Sequence, residues 1–138
     1  MEISENNINK ALAYIDGLEE NAYDNLANKL MEEQAYLSTF LQQNLDYLFS
    51  DNEDIKDFAS NLHIFILYLF KIKQKNKYPI IDKEKLSAIL EQKEHINPYE
   101  SLGDFIFSQW VSQDFAKEDF LKAIQLQNVI IVALSFYF

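Results

Sequence analysis

Apolar side chains recur along this chain at intervals of three, four and seven residues, the repeat that aligns them on one side of an α-helix. The first such stretch starts near Glu5 and carries Ile8, Ala11, Leu12 and Ile15 on a common face. It stops at Asp16, where Gly17 can take the left-handed conformation that closes a helix and Leu18 can fold back over the end. A second stretch from Glu20 to Phe49 repeats Tyr23, Leu26, Leu30, Leu37, Leu41 and Leu48, and reads as one long helix. Glu33 and Asn44 fall in phase with that stripe, so they either break the seam at a bend or set its register against a partner helix. Asn21 and Asn44 are the candidate break points.

The run Ser50-Asp51-Asn52-Glu53 has the residues of a capping box and announces a third helix. Phe58, Leu62, Phe65, Leu69 and Ile72 form its stripe, and Ile64, Ile66, Leu67, Tyr68 and Phe70 fill the remaining faces. A helix apolar all round is surrounded by others, so this one is expected at the centre. Lys71, Lys73, Lys75 and Lys77 follow, where positive charge suits the carbonyl end of the helix dipole.

Tyr78-Pro79 predicts an extended link, because proline disfavours helical geometry in the residue before it. Asp82 then caps a fourth helix to about Gln92, with Ile81 and Leu86 forming a hydrophobic staple. Asn97-Pro98-Tyr99-Glu100 opens a fifth helix to about Gln113, with proline in the first helical position. From Lys117, the residues Phe120, Ile124, Ile131, Leu134 and Phe138 keep helical phase. The β-branched run Val129–Val132 also suits a strand, but helix is the preferred reading. The pattern therefore predicts a single all-α domain over residues 1–138, a bundle of five or six helices with a long second helix and a central, apolar third.

Composition agrees with this architecture. A chain of 138 residues, 49% hydrophobic and 14% aromatic, can bury roughly two-thirds of its unfolded surface in one core. Two glycines and two prolines are too few for the many tight turns of an all-β sandwich. The lack of cysteine rules out disulfides, thiolate metal sites and a cysteine nucleophile, and fits a reducing, cytoplasmic compartment. Met1–Lys10 has no secretory-signal layout, and the apolar runs Leu62–Phe70 and Val129–Phe138 fall short of the ~20 residues that span a membrane. No membrane partner is expected.

Charge changes the picture more. Residues 1–60 hold 13 of the 22 acids and 3 of the 12 bases, a net of −10, whereas residues 61–138 are balanced at 9 and 9. Every base is lysine, so the arginine fork that reads guanine or clamps phosphate is missing and nucleic-acid binding is not expected.

Candidate chemistry is sparse. With glycine only at 17 and 103, no phosphate-binding loop, dinucleotide fingerprint or nucleophile elbow can be written. The di-iron bundle pattern needs glutamate three residues before each histidine, but residues 60 and 92 are serine and glutamine. The acids Asp51, Glu53, Asp54 and Asp57 lack the glycine and terminal glutamate of a calcium loop and suit a helix amino terminus instead. His63 reads as a hydrogen-bonded core histidine, and His95, near Glu91 and Glu94, as a stabiliser of the fourth helix. The lysine run reads as a helix terminus, since alternate residues do not share a helical face. No catalytic residue, metal site or cofactor is expected.

The functional expectation is a protein-binding module whose acidic amino-terminal helices engage a basic protein partner, in an immunity-like, adaptor or chaperone role. Its contact residues are expected among Glu19, Glu20, Tyr23, Asp24, Glu32, Glu33 and Tyr36, because charge speeds encounter and tyrosine is favoured at binding hot spots. The alternatives are a homo-oligomer joined through Leu37, Leu41 and Leu48 or through the terminal run, and a carboxylate enzyme using Glu91, Glu94 and His95. Small, acidic, helical character is similar to that of bacterial immunity proteins and secretion chaperones, a likeness of composition that assigns no residue.

Overall fold

The first helix, α1 (Glu5–Asp16), starts at Ser4, whose hydroxyl accepts from the Asn7 amide at 3.2 Å while the Asn7 side chain accepts from the Ser4 amide at 3.0 Å. This reciprocal cap satisfies two amides that the helix leaves without partners. The computed structural model describes residues Met1–Phe138 and continues with α2 (Glu20–Glu33), α3 (Ala35–Leu48), α4 (Glu53–Gln74), α5 (Lys83–Leu90), α6 (Glu100–Val111) and α7 (Lys117–Phe136). A short 3-10 turn, Lys75–Lys77, follows α4, and there is no strand.

The helical class is as the periodicity predicts, but there are seven helices rather than five or six. The expected long second helix is two helices, divided at Gln34, where the backbone leaves helical geometry at φ −117° and ψ 52°. Gln34 is fully buried, and its carboxamide serves the extended segment after α4. Its Nε2 donates to the Pro79 carbonyl, and its Oε1 accepts from the Ile81 amide at 3.1 Å. Pro79 and Ile81 are buried too, so their peptide groups have no water to turn to. The break thus lies at neither Asn21 nor Asn44; Asn44 instead donates to the Phe40 carbonyl one turn back at 2.8 Å.

Local ends differ from expectation in several places, each for a visible reason. Gly17 closes α1 at φ −82°, not in the left-handed region, because its amide reaches Ala13 and the Leu18 amide reaches Ile15 without any reversal. Asn52, not Ser50, caps α4, its Oδ1 accepting from the Ile55 amide at 3.2 Å, while residues 50 and 51 form the preceding turn. α5 ends at Leu90 and α6 begins only at Glu100, since the Asn97 side chain accepts from the Tyr99 amide at 2.8 Å and holds Pro98 in a turn outside the helix. α4 stops where Lys75 takes φ 48°, the only non-glycine residue at positive φ. Tyr78 is extended before Pro79, and both staple residues, Ile81 and Leu86, are buried around the Asp82 cap. Val129–Val132 is helical.

One cluster of 31 buried apolar residues, from Ile3 to Leu134, forms the core. Within α4, eight of the nine residues from Leu62 to Phe70 are buried, Tyr68 being the exception. α4 packs against α1, α2, α3 and α7, and α7 also touches α3, α5 and α6. At 20 residues α7 is long and apolar enough to cross a membrane by those criteria alone, yet Ala123, Val129, Ile130, Ile131, Ala133 and Leu134 on it are buried in the bundle. Trp110 of α6 is fully buried in an aromatic group with Phe58, Phe115 and Phe120, and its Nε1 donates to Gln127 of α7 at 3.0 Å.

The Gln34 clamp is testable. Replacing Gln34 with leucine keeps the volume but strands a buried carbonyl and a buried amide, so stability should fall by about 2–4 kcal/mol. Urea denaturation measures it, and an unchanged midpoint would show that the clamp is dispensable.

Candidate functional site

The seven residues that charge and tyrosine content single out lie along α2 and the first turn of α3, and they do not converge on one point. Glu19 and Glu20 sit at the amino terminus of α2, where carboxylates complement the unpaired amides. Asp24 follows one turn later on the face of Glu20, and all three are exposed. Glu32 lies about 12 Å beyond Asp24 along the helix. It lines a separate trough between α2 and α3, together with Ser38, Gln42 and Asp46.

Glu33 is not free, because both its carboxylate oxygens contact Lys71 of α4, at 2.7 and 2.8 Å. This pair answers why an acid falls in phase with an apolar stripe: it ties the end of α2 to the end of α4. Tyr36 is half exposed on α3, and Tyr47 is 85% exposed. Tyr14 is also half exposed but stacks on Tyr68, with ring centroids 5.1 Å apart. Of the thirteen acids in residues 1–60, only Glu33, Asp46 and Glu53 are ion-paired, the last two both with Lys56. Those two carboxylates, Glu53 foremost, raise the Lys56 ammonium above the usual lysine value.

Tyr23 behaves differently from its neighbours. Its side chain turns inward toward a groove of about 380 Å³ bounded by α1, α2, α4 and α6, and its hydroxyl donates to Asn61 of α4 at 2.8 Å. Partial burial raises the phenol above the usual tyrosine value, and the Asp24 carboxylate adds to the effect. The groove's apolar lining consists of Leu12, Ile15, Phe58, Leu62, Phe65 and Phe105, and its polar margin of Asp16, Asn61 and Gln109. The sequence pattern places five of these six residues, all but Phe105, in core stripes. It had no signal that they would stop short of closing over one another.

The proposed self-association seam is largely spent inside the molecule, since Leu37 and Leu41 are fully buried and only Leu48 is partly exposed. The terminal run likewise packs inward, leaving Phe136 and Phe138 exposed.

His63 lies in the buried stretch of α4, and its Nε2 is 2.9 Å from the Ser38 hydroxyl of α3. Burial holds its pKa down at about 4, so the ring is neutral near pH 7. This is a structural pair: no carboxylate orients the ring through Nδ1, which has no hydrogen-bond partner, and a base of that pKa is a weak proton acceptor. His95 lies beyond α5, and its Nε2 is hydrogen-bonded at 2.7 Å to the Ile89 carbonyl in the last turn of that helix. Glu91 does not share a helical turn with it, because α5 has already ended at Leu90. Glu94 and His95 line an open depression with Lys93 and Lys122. No group of three or more histidine, aspartate or glutamate side chains is placed to hold a metal ion.

No family model matches this chain, and no curated protein and no solved structure matches it either.

The unfolded chain takes up a proton at His63 near pH 6.5 and the folded chain only near 4, so acidification through that window favours unfolding. Between pH 7 and 4.5 this single group should remove about 2–3 kcal/mol of stability. Urea titrations of the wild type and of His63→Gln at the two pH values isolate the effect, since the carboxylates titrate in both. Equal losses in the two proteins would contradict a neutral, buried His63.

Proposed function

We propose that this chain is a protein-binding module of a reducing, cytoplasmic compartment that engages a basic protein partner through its acidic amino-terminal helices. The observation that carries the reading is the ten acids of residues 1–60 that have no internal cation. A fold that needed them only for its own stability would pair more of them or confine them to helix amino termini, where a carboxylate contributes most. Instead, Asp24 stands beyond the first turn of α2 and Glu32 in its last turn, where the helix dipole disfavours a carboxylate, and both are exposed. An uncompensated field of this kind attracts cationic surfaces and speeds encounter with them.

The exposed tyrosines Tyr36 and Tyr47 support the same reading. Tyrosine supplies a large, stiff contact area with a polar tip, and an 85% exposed ring at Tyr47 has no packing role in the monomer. Glu33 leaves the contact set, because Lys71 already holds it. Glu19, Glu20, Asp24 and Glu32 remain as the steering charges.

The test is quantitative recovery of partners from extract of the source cell, on wild-type protein and on the variant Glu19→Gln/Glu20→Gln/Asp24→Asn/Glu32→Gln, at ~50 and ~500 mM salt. The four exposed substitutions should leave the circular dichroism spectrum unchanged. A basic protein should be retained by the wild type at low salt, and lost both with the variant and at high salt. Recovery of the same proteins in all conditions would refute electrostatic recruitment.

A further inference from the structure

We infer that the groove between α1, α2, α4 and α6 seats the apolar face of a cationic amphipathic helix supplied by the partner, an inference that rests on the acidic-face reading. The groove is apolar where it is deep: Leu62 and Phe65 of α4 form its buried base, and Phe65 meets Phe105 of α6 with ring centroids 5.0 Å apart. Leu12 and Ile15 of α1 are only partly buried along one wall. Those side chains keep apolar area in contact with water that a docked side chain would cover.

The surrounding charge selects the occupant. No lysine lines the groove, whereas Asp16 stands at its margin and Asp24 is close enough to Tyr23 to raise its phenol. Asp57 sits one turn before Asn61 on α4, and Glu20 one turn before Asp24 on α2, so each flanking helix continues the acidic edge beyond the groove itself. A small cationic ligand would fill the cavity but leave those outer acids unanswered. A helix with apolar residues at intervals of three and four, flanked by lysine or arginine, meets both requirements at once. Asn61 Nδ2 and the Gln109 side-chain amide make no internal hydrogen bond, which leaves polar groups at the edge for the ligand's own side chains.

Fluorescence anisotropy with three labelled peptides tests this: a lysine–leucine peptide with leucines at helical spacing, a peptide of the same composition with leucine and lysine strictly alternating, and an oligolysine of equal length. The proteins are the wild type, Ile15→Lys, Gln109→Lys and the four-acid variant described above. The helical-period peptide should bind the wild type at least about tenfold more tightly than the alternating one, and should lose about tenfold or more with Ile15→Lys and Gln109→Lys. Gln109→Lys alters only a half-buried marginal residue, so it keeps the test open if Ile15→Lys fails to fold. Oligolysine should weaken far less with the two groove variants than with the four-acid variant. Equal affinity for the two lysine–leucine peptides, or groove variants that bind like wild type while oligolysine still depends on the four acids, would overturn the groove and leave the acidic face standing. Failure of all three peptides to bind would overturn both.

Discussion

Between Leu62 and Phe70, α4 presents water with nothing but part of Tyr68, and a helix with no polar side can exist only if other helices cover it all the way round. That constraint places α1, α2, α3 and α7 against it. Each neighbour spends its apolar stripe inward, which is why Leu30, Leu37, Leu41, Leu45, Ile130 and Leu134 are all fully buried. The same enclosure governs His63. A ring held among those side chains loses more by ionising than its single hydrogen bond to Ser38 returns, so it stays neutral.

Three buried glutamines pair groups that such packing would otherwise strand, Gln34 and Gln74 on the backbone and Gln127 on the Trp110 indole. Gln34 holds the extended segment after α4, Gln74 donates to the Leu134 carbonyl of α7 at 2.8 Å, and Gln127 accepts from Trp110. A net intramolecular hydrogen bond contributes only about 1 kcal/mol, but a buried partner left empty costs about 1–3 kcal/mol. The glutamines therefore act mainly by fixing which segments can be neighbours. The division of Glu20–Phe49 into two helices belongs to this system, since an unbroken helix at Gln34 would not hold its carboxamide against residues 79 and 81.

These facts set the limit of what the amino-acid sequence discloses. Helical class was legible because Ile8, Ala11, Leu12, Ile15 and their counterparts repeat at helical intervals, and Asp82 marks a helix start that depends on local residues alone. Gln34 carries no such mark. A polar residue in phase with an apolar stripe can be a bend, a register pin or a clamp, and only the segment it holds, 45 residues away, decides among them. Glu33 was ambiguous for the same reason until Lys71 stood beside it. The acidic residues were visible as an imbalance of charge, but the groove was not: Leu12, Ile15, Phe58, Leu62 and Phe65 look like any other core residues in sequence.

Enclosure of α4 also connects fold to function. Because the apolar faces turn inward, the acids of α1–α3 and the start of α4 are left outside, and the proposed partner-binding face is the polar remainder of the packing. Amide hydrogen exchange tests that enclosure most directly. Amides from Leu62 to Phe70 should be the slowest in the molecule, exchanging only by global unfolding with a protection free energy equal to that from urea denaturation. Exchange of this segment well ahead of global unfolding, or slower exchange anywhere in α2, α3 or α7, would contradict a fold assembled around α4.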